Sequence, residues 1–170
     1  MSITEGGIEM DLEKKIQMLE DREAIKELRA TYCYLVDEGC NNNDRSKLEE
    51  LMAKYFSKDA TAEFQPLGKF DTYEEVHNFY TKTVPDLLSF CVHMVHNPVI
   101  KIDGNNATGE WYFDVPAIYR QTNKSVWIMG KYEEKYIKED GVWKFLFVKA
   151  NFYYFAPYTD VIEKTKRFMD

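Results

Sequence analysis

Two of the three histidines in this 170-residue chain, His93 and His96, stand three residues apart in the stretch "FCVHMVHNPVIKIDG". An imidazole titrates near neutrality, so it can bind a metal, move a proton, or close a hydrogen bond in a core. Spacing separates these uses. The stretch reads as a strand, and side chains three apart on a regular strand point to opposite faces. Paired ligands three or four apart converge on one metal when they lie on a helix, as in H-E-x-x-H, but not on a strand. The third histidine, His77, lies in "DTYEEVHNFY", which carries no such motif. No metal site is expected. One histidine of the pair should face an interior, the other a helix, solvent or a neighbouring subunit.

An inward histidine can be a plain hydrogen-bonded core residue. It becomes an acid/base group when a carboxylate and a hydroxyl converge on it from other elements, and Asp37 and Tyr32 are the candidates. Read singly, Tyr32 is a large core residue and Asp37 a solvated charge at a helix C-terminus. The helix dipole disfavours a carboxylate there, so an unrewarded Asp37 would be unusual.

The elements that must bring these groups together follow from periodicity. From Asp11 onward Ile25, Leu28, Tyr32 and Leu35 recur at steps of three and four, with Ile16 and Leu19 extending the stripe backward. This predicts a first helix ending near Gly39, before the polar loop 40–43. Residues 1–10 should be frayed. A second helix follows, with Asp44 as N-cap and Leu48, Leu51, Met52 and Tyr55 buried. "DATAEFQPLGKF" reads as a short strand closed by a Pro/Gly turn, and Thr72 with Glu75 forms a capping box opening a third helix. Pro85 should end or kink that helix. Four long strands follow, over 90–102, 107–119, 125–137 and 142–155. The connectors "DGNN", "RQTNK" and "KEDG" are of the kind that joins antiparallel neighbours. The segment "DVIEKTKRF" reads as a closing helix. Helices first and strands second is the α+β pattern, here one domain over 1–170: a curved antiparallel sheet with the helices across its concave face and a ligand site in the open end.

Composition narrows the partners. Apolar residues make up 45% of the chain and aromatics 15%, enough for a real core and an aromatic pocket. The formal charge of −7, with Lys and Arg scattered, argues against nucleic acid or an anionic membrane as partner, since both select basic patches. Cys33, Cys40 and Cys91 form no C-x-x-C pair and read as reduced thiols of a cytoplasmic protein. The acidic first thirty residues do not look like a signal peptide, and no apolar run reaches the length of roughly 18 residues a membrane span needs. Aromatic richness points to an apolar, ring-containing small molecule as ligand.

The order of Tyr32-x4-Asp37, "FSKDATAEF", "VHMVHNPVIKIDGNNATGEWYF" and "GKYEEKYIKEDGVWKF" resembles the SnoaL-like branch of the NTF2-like superfamily. Within it the chain is most similar to the scytalone dehydratase and bile-acid 7α-dehydratase group. The resemblance spans residues 12 to 157, and its most specific part runs from His93 through Tyr112. It implies a cone-shaped α+β barrel, a homotrimer, and catalysis without metal or organic cofactor. It also implies that His93 works with Asp37 while Tyr32 hydrogen-bonds a substrate carbonyl. His96 is left a structural role. Two positions depart from the bile-acid enzyme: Phe64 stands where that group has a second tyrosine, and Phe152 where it has an arginine. The loop "EGCNNNDRSK" is also longer. A retained acid/base set with a different substrate is the expectation.

The implied activity is a dehydratase, a lyase eliminating water β or vinylogous to a carbonyl in a steroid- or polyketide-like ring compound. The same cone also hosts isomerases and cyclases, and some members only bind a ligand or a subunit. The substrate pocket is assigned to Phe64, Phe152 and Trp111. One tryptophan on each of three strands (Trp111, Trp127, Trp143) suits packing on the sheet face better than a ligand cage.

Overall fold

The computed structural model describes residues 12–157. Helix α1 (Leu12–Asn41) is followed by α2 (Arg45–Tyr55), strand β1 (Phe56–Phe64) and strand β2 (Gly68–Phe70). Next come α3 (Tyr73–Asn78), a π-helical turn (Phe79–Thr83) and α4 (Val84–Leu87). Strands β3 (Leu88–Cys91), β4 (Met94–Asp103), β5 (Asn106–Tyr119), β6 (Ser125–Glu139) and β7 (Val142–Pro157) complete the described chain. The predicted closing helix and the frayed residues 1–10 lie outside the described residues.

The sheet runs β2-β1-β7-β6-β5-β3, with β4 also paired to β5. It is curved and unclosed. It is also mixed rather than antiparallel throughout, because β1 runs parallel to β7, with Ala62 opposite Val148. Sequence pattern identifies hairpin neighbours from their short turns. It is silent on β1, which reaches its partner only after α2 has carried the chain across the sheet.

On β5 and β6 buried and exposed residues alternate, so Trp111, Phe113 and Val115 and, on the neighbouring strand, Ile128, Tyr132 and Tyr136 face the helices. Helix α1 supplies the other wall through Ile25, Leu28, Tyr32, Leu35 and Val36. At 30 residues it is about 45 Å long, and its first turns overhang the sheet. Ile16 and Leu19, expected to continue the buried stripe, are therefore exposed. The helix also runs two residues past Gly39, to Asn41. Gly39 itself is a packing residue: a Cβ there would lie 2.7 Å from Leu48 Cγ, so the bare backbone lets α2 close on α1.

Two local breaks shape the site. Pro85 has no N–H for the carbonyl of Thr81, and the chain widens into the π-helical turn just before it. Arg45 donates to that orphaned Thr81 oxygen at 2.9 Å. The second break splits the strand expected over 90–102. The register on β5 is kept across Val92 and His93, and Val92 N–H donates to the Pro116 carbonyl at 3.2 Å, but Pro116 has no N–H to return and the His93 N–H is taken by Asp37.

Candidate active site

Asp37 and Asn41 lie four residues apart on the last turns of α1 and so share one face, which is turned toward the break between β3 and β4. Asn41 clamps Cys91, accepting from its backbone N–H at 2.8 Å and donating to its carbonyl at 2.9 Å. Asp37 clamps His93 twice. Its Oδ2 accepts the His93 backbone N–H at 2.9 Å, and its Oδ1 lies 2.6 Å from His93 Nδ1. Backbone and ring of the histidine are thus held by one carboxylate. With Nδ1–H committed to Asp37, Nε2 is left as the acceptor nitrogen, the arrangement of an oriented general base.

His93 lines a cavity of about 590 Å³, counted out to its open mouth. The wall is formed largely by Val36, Phe64, Phe79, Phe113, Val115, Ile128 and Phe152, with Leu67 and Phe155 the exposed members. The polar residues that line it are His93, Tyr32, Tyr80 and Tyr132. Tyr32 donates to Tyr80 at 3.0 Å, and its ring stands edge-on to His93 with centroids 6.1 Å apart. Burial pushes the Tyr32 and Tyr80 hydroxyls well above the usual phenol range, so both remain proton donors at neutral pH.

Behind this wall lies a buried polar cluster. The Arg29 guanidinium is sandwiched between the Tyr132 ring, 3.9 Å from its centroid, and the Tyr32 ring at 4.2 Å. Arg29 and Glu134 are both fully buried and 3.1 Å apart. Burial raises the Glu134 carboxyl above its ordinary value, while Arg29 beside it and a hydrogen bond from Tyr136 pull the other way and favour the ion pair. Trp111 completes the cluster by donating to Tyr136 at 2.9 Å.

The sequence-assigned residues therefore fall into two groups. His93, Tyr32, Phe64 and Phe152 line the cavity, and Asp37 stands behind His93. Trp111 does not line it. A strand places Trp111 on the right face, but three-dimensional position puts it deeper in the core, against Tyr136. His96 is half-exposed on the opposite side, 3.0 Å from Asp114 and stacked on Tyr112. Tyr80, Asn41 and the Arg29–Glu134 pair were not anticipated. Asn41 had a usable signal, its i+4 spacing from Asp37; the others depend on long-range contacts.

Among the described residues one group of metal-type donors comes together, Asp37, Cys91 and His93, with ligand atoms within 4.8 Å of one another. Its geometry is that of hydrogen bonding. Two donors on one tetrahedral ion would be about 3.4 Å apart at bond lengths near 2.1 Å, whereas Asp37 Oδ1 and His93 Nδ1 are 2.6 Å apart. The Cys91 thiol is also pushed far up by a hydrogen bond with Cys40 and by burial, so it is not a ready thiolate.

Residues 17–149 match the SnoaL-like domain family. Among solved structures, a candidate scytalone dehydratase from Novosphingobium aromaticivorans superposes with a TM-score of 0.74 at 19% identity, over 85% of this chain and 91% of that one. The hexachlorocyclohexane dehydrochlorinase LinA-type3 from Novosphingobium barchaimii gives 0.70 at 21% identity, over 84% and 93%. An NTF2-like superfamily protein from Salmonella enterica gives 0.65 at 20% identity, over 76% and 89%. At these identities the likeness concerns the fold. With the family match spanning most of its length, the chain belongs to the SnoaL-like family and has the α+β fold of the NTF2-like superfamily.

Proposed function

We propose that this protein is a hydro-lyase that eliminates water from an apolar, ring-containing ketone bearing a hydroxyl β or vinylogous to the carbonyl. The observation that carries the reading is the double clamp of Asp37 on His93 at the wall of an apolar cavity. A binder of hydrophobic ligands gains nothing from burying an Asp–His pair beside its ligand, because desolvating such groups is costly.

In the proposed reaction His93 Nε2 removes the acidic C–H proton next to the carbonyl. The C–H electrons move into the C–C bond and the carbonyl oxygen becomes an enolate, held by a tyrosine hydroxyl of the wall. The enolate then re-forms the carbonyl, the electron pair becomes the new C=C bond, and the β C–O bond breaks. The departing hydroxide takes the proton from the imidazolium and leaves as water. Asp37 holds the ring tautomer and stabilises the imidazolium. Apolar walls exclude bulk water, which strengthens each of these electrostatic contacts. No step calls for a metal or an organic cofactor.

Isomerisation or cyclisation would share the first step, so the product decides between them. The test is turnover of fused-ring β-hydroxy ketones followed by mass: loss of one water is the expected outcome. His93→Ala should bind the same compounds and lose about 10²- to 10⁴-fold in rate. Dehydration at the wild-type rate by that variant would remove His93 from the mechanism.

Association with further copies is part of the same proposal. Met94, Tyr112, Met129 and Tyr153 are substantially exposed on the outer sheet face, and the Tyr112 and Tyr153 rings lie 6.5 Å apart. The family resemblance implies a trimer. No helix among the described residues is long and apolar enough to cross a membrane.

A further inference from the structure

The carbonyl partner expected from sequence is Tyr32, yet its hydroxyl is already used. Tyr32 donates its proton to the Tyr80 oxygen at 3.0 Å, so Tyr80 accepts from behind and keeps its own proton. Among the described residues no hydrogen bond takes that proton, and both side chains line the cavity. We infer that Tyr80, supplied by the π-helical turn, is the group that donates to the ligand's carbonyl or enolate oxygen, and that Tyr32 acts through it. The inference deepens the proposed function and rests on that reading for the identity of the ligand's oxygen.

Three features of the surroundings support it. First, the ring of Tyr80 is immobilised on all sides by aromatics: Phe56 and Phe79 at centroid distances of 5.3 Å, Tyr32 at 5.6 Å and Phe64 at 6.0 Å. A donor held this firmly loses little freedom when it engages a ligand. Second, hydroxyls in series polarise one another, so a phenol that accepts a hydrogen bond donates more strongly. Third, burial keeps both phenols protonated, as donors must be.

The position also answers the departure at residue 64. Phe64 brings no hydroxyl, but it packs edge-on against Tyr80 and stacks on Phe79 at 4.7 Å, thereby helping to aim the tyrosine that does. The π-helical turn is what makes this possible. Phe79, Tyr80 and Thr81 are buried in succession, Phe79 and Tyr80 reach the cavity wall, and Thr81 turns back to donate to the His77 carbonyl. Tyr132, the other phenol of the wall, is engaged with the Arg29 guanidinium, which lies 3.9 Å from its ring centroid.

The experiment reads the hydrogen bond without requiring turnover. 1-Tetralone labelled with carbon-13 at the carbonyl, a flat ketone that has no hydroxyl to lose, is bound to the wild-type protein and to Tyr80→Phe, Tyr32→Phe and Tyr132→Phe. The expected result is a downfield carbonyl shift in the wild type that disappears in Tyr80→Phe, with affinity lower by about 3- to 10-fold. Tyr32→Phe should keep part of the shift, since it removes the polarising bond and leaves the donor. Loss of the shift in Tyr32→Phe or Tyr132→Phe with retention in Tyr80→Phe overturns the assignment, as does a wild-type protein that produces no shift. The reaction is judged separately, by water loss from β-hydroxy ketones. A protein showing the Tyr80-dependent shift but no water loss retains this hydrogen bond and loses the dehydratase reading.

Discussion

Exchanging Asp37 for asparagine preserves shape and removes one acceptor and the charge, which makes it the most informative perturbation of the site. In the native site two N–H groups converge on the carboxylate: the His93 backbone N–H, 2.9 Å from Oδ2 and 3.2 Å from Oδ1, and the ring Nδ1, 2.6 Å from Oδ1. An asparagine has one oxygen for these two donors. If that oxygen faces the ring, the amide NH₂ meets the backbone N–H, donor against donor, and an orphaned buried group costs about 1–3 kcal/mol. If the oxygen faces the backbone, the NH₂ meets Nδ1, and the ring must carry its proton on Nε2. That nitrogen can then no longer accept a proton from carbon. The same inversion of tautomer in a serine-protease triad lowers kcat by about 10⁴, and loss of one acid/base group generally costs about 10²–10⁴. We expect kcat for a fused-ring β-hydroxy ketone to fall within that range and KM to change little, since the carboxylate makes no contact with the cavity's apolar wall. The assay pairs progress curves with nitrogen-15 shifts of the His93 ring. An asparagine variant with wild-type kcat, or one whose ring still carries its proton on Nδ1 while activity is lost, refutes the orienting role.

Three further outcomes follow from the geometry. Asn41→Ala should lower stability by about 1–3 kcal/mol in urea unfolding, because it strands buried polar groups of Cys91; it should also lower kcat, by loosening His93 while leaving Asp37 intact. Glu134→Gln should cost about 3–5 kcal/mol by leaving Arg29 buried and uncompensated, whereas Arg29→Met with Glu134→Leu should regain most of it. Equal stability of the single and double variants would show that the pair contributes no such coupling. Asp21 is the acid-sensitive point. Burial alone would raise its carboxyl, but hydrogen bonds from Lys138 at 2.7 Å and Trp143 at 2.9 Å outweigh that and hold it below its ordinary 3.8. Its folded value is therefore depressed, so its contribution is complete above 3.8 and is lost as the pH falls through the lower folded value. Thermal melts against pH should show a shallower acid limb in Asp21→Asn, and an unchanged limb would remove Asp21 from the account.

Much of the fold was legible because it is written in local patterns. Asp44 does cap α2, accepting from Ser46 N–H at 3.0 Å, and Thr72 with Glu75 forms the capping box of α3. The long strands alternate as their residues demand. Helix α1 was read from its stripe, but its length against the sheet was not, and Ile16 and Leu19 ended outside. The split of the 90–102 strand was hidden for a similar reason. It falls where Pro116 on β5 offers Val92 no N–H, and where Asn41 and Asp37, fifty residues and more away, take backbone groups of Cys91 and His93.

By itself the sequence determined the α+β class, the apolar wall and the residue types able to move a proton, since periodicity, turn chemistry and side-chain acidity act locally. It also set His93 and His96 on different sides, because a strand-like stretch alternates. Only the tertiary structure decided which hydroxyl keeps a free proton, that Trp111 belongs to the core rather than the cavity, that β1 runs parallel to β7, and that Arg29 and Glu134 pair beneath the tyrosines. Each of these depends on distances between residues far apart in the chain, and such distances are set by how α1 and the curved sheet pack together rather than by any local pattern.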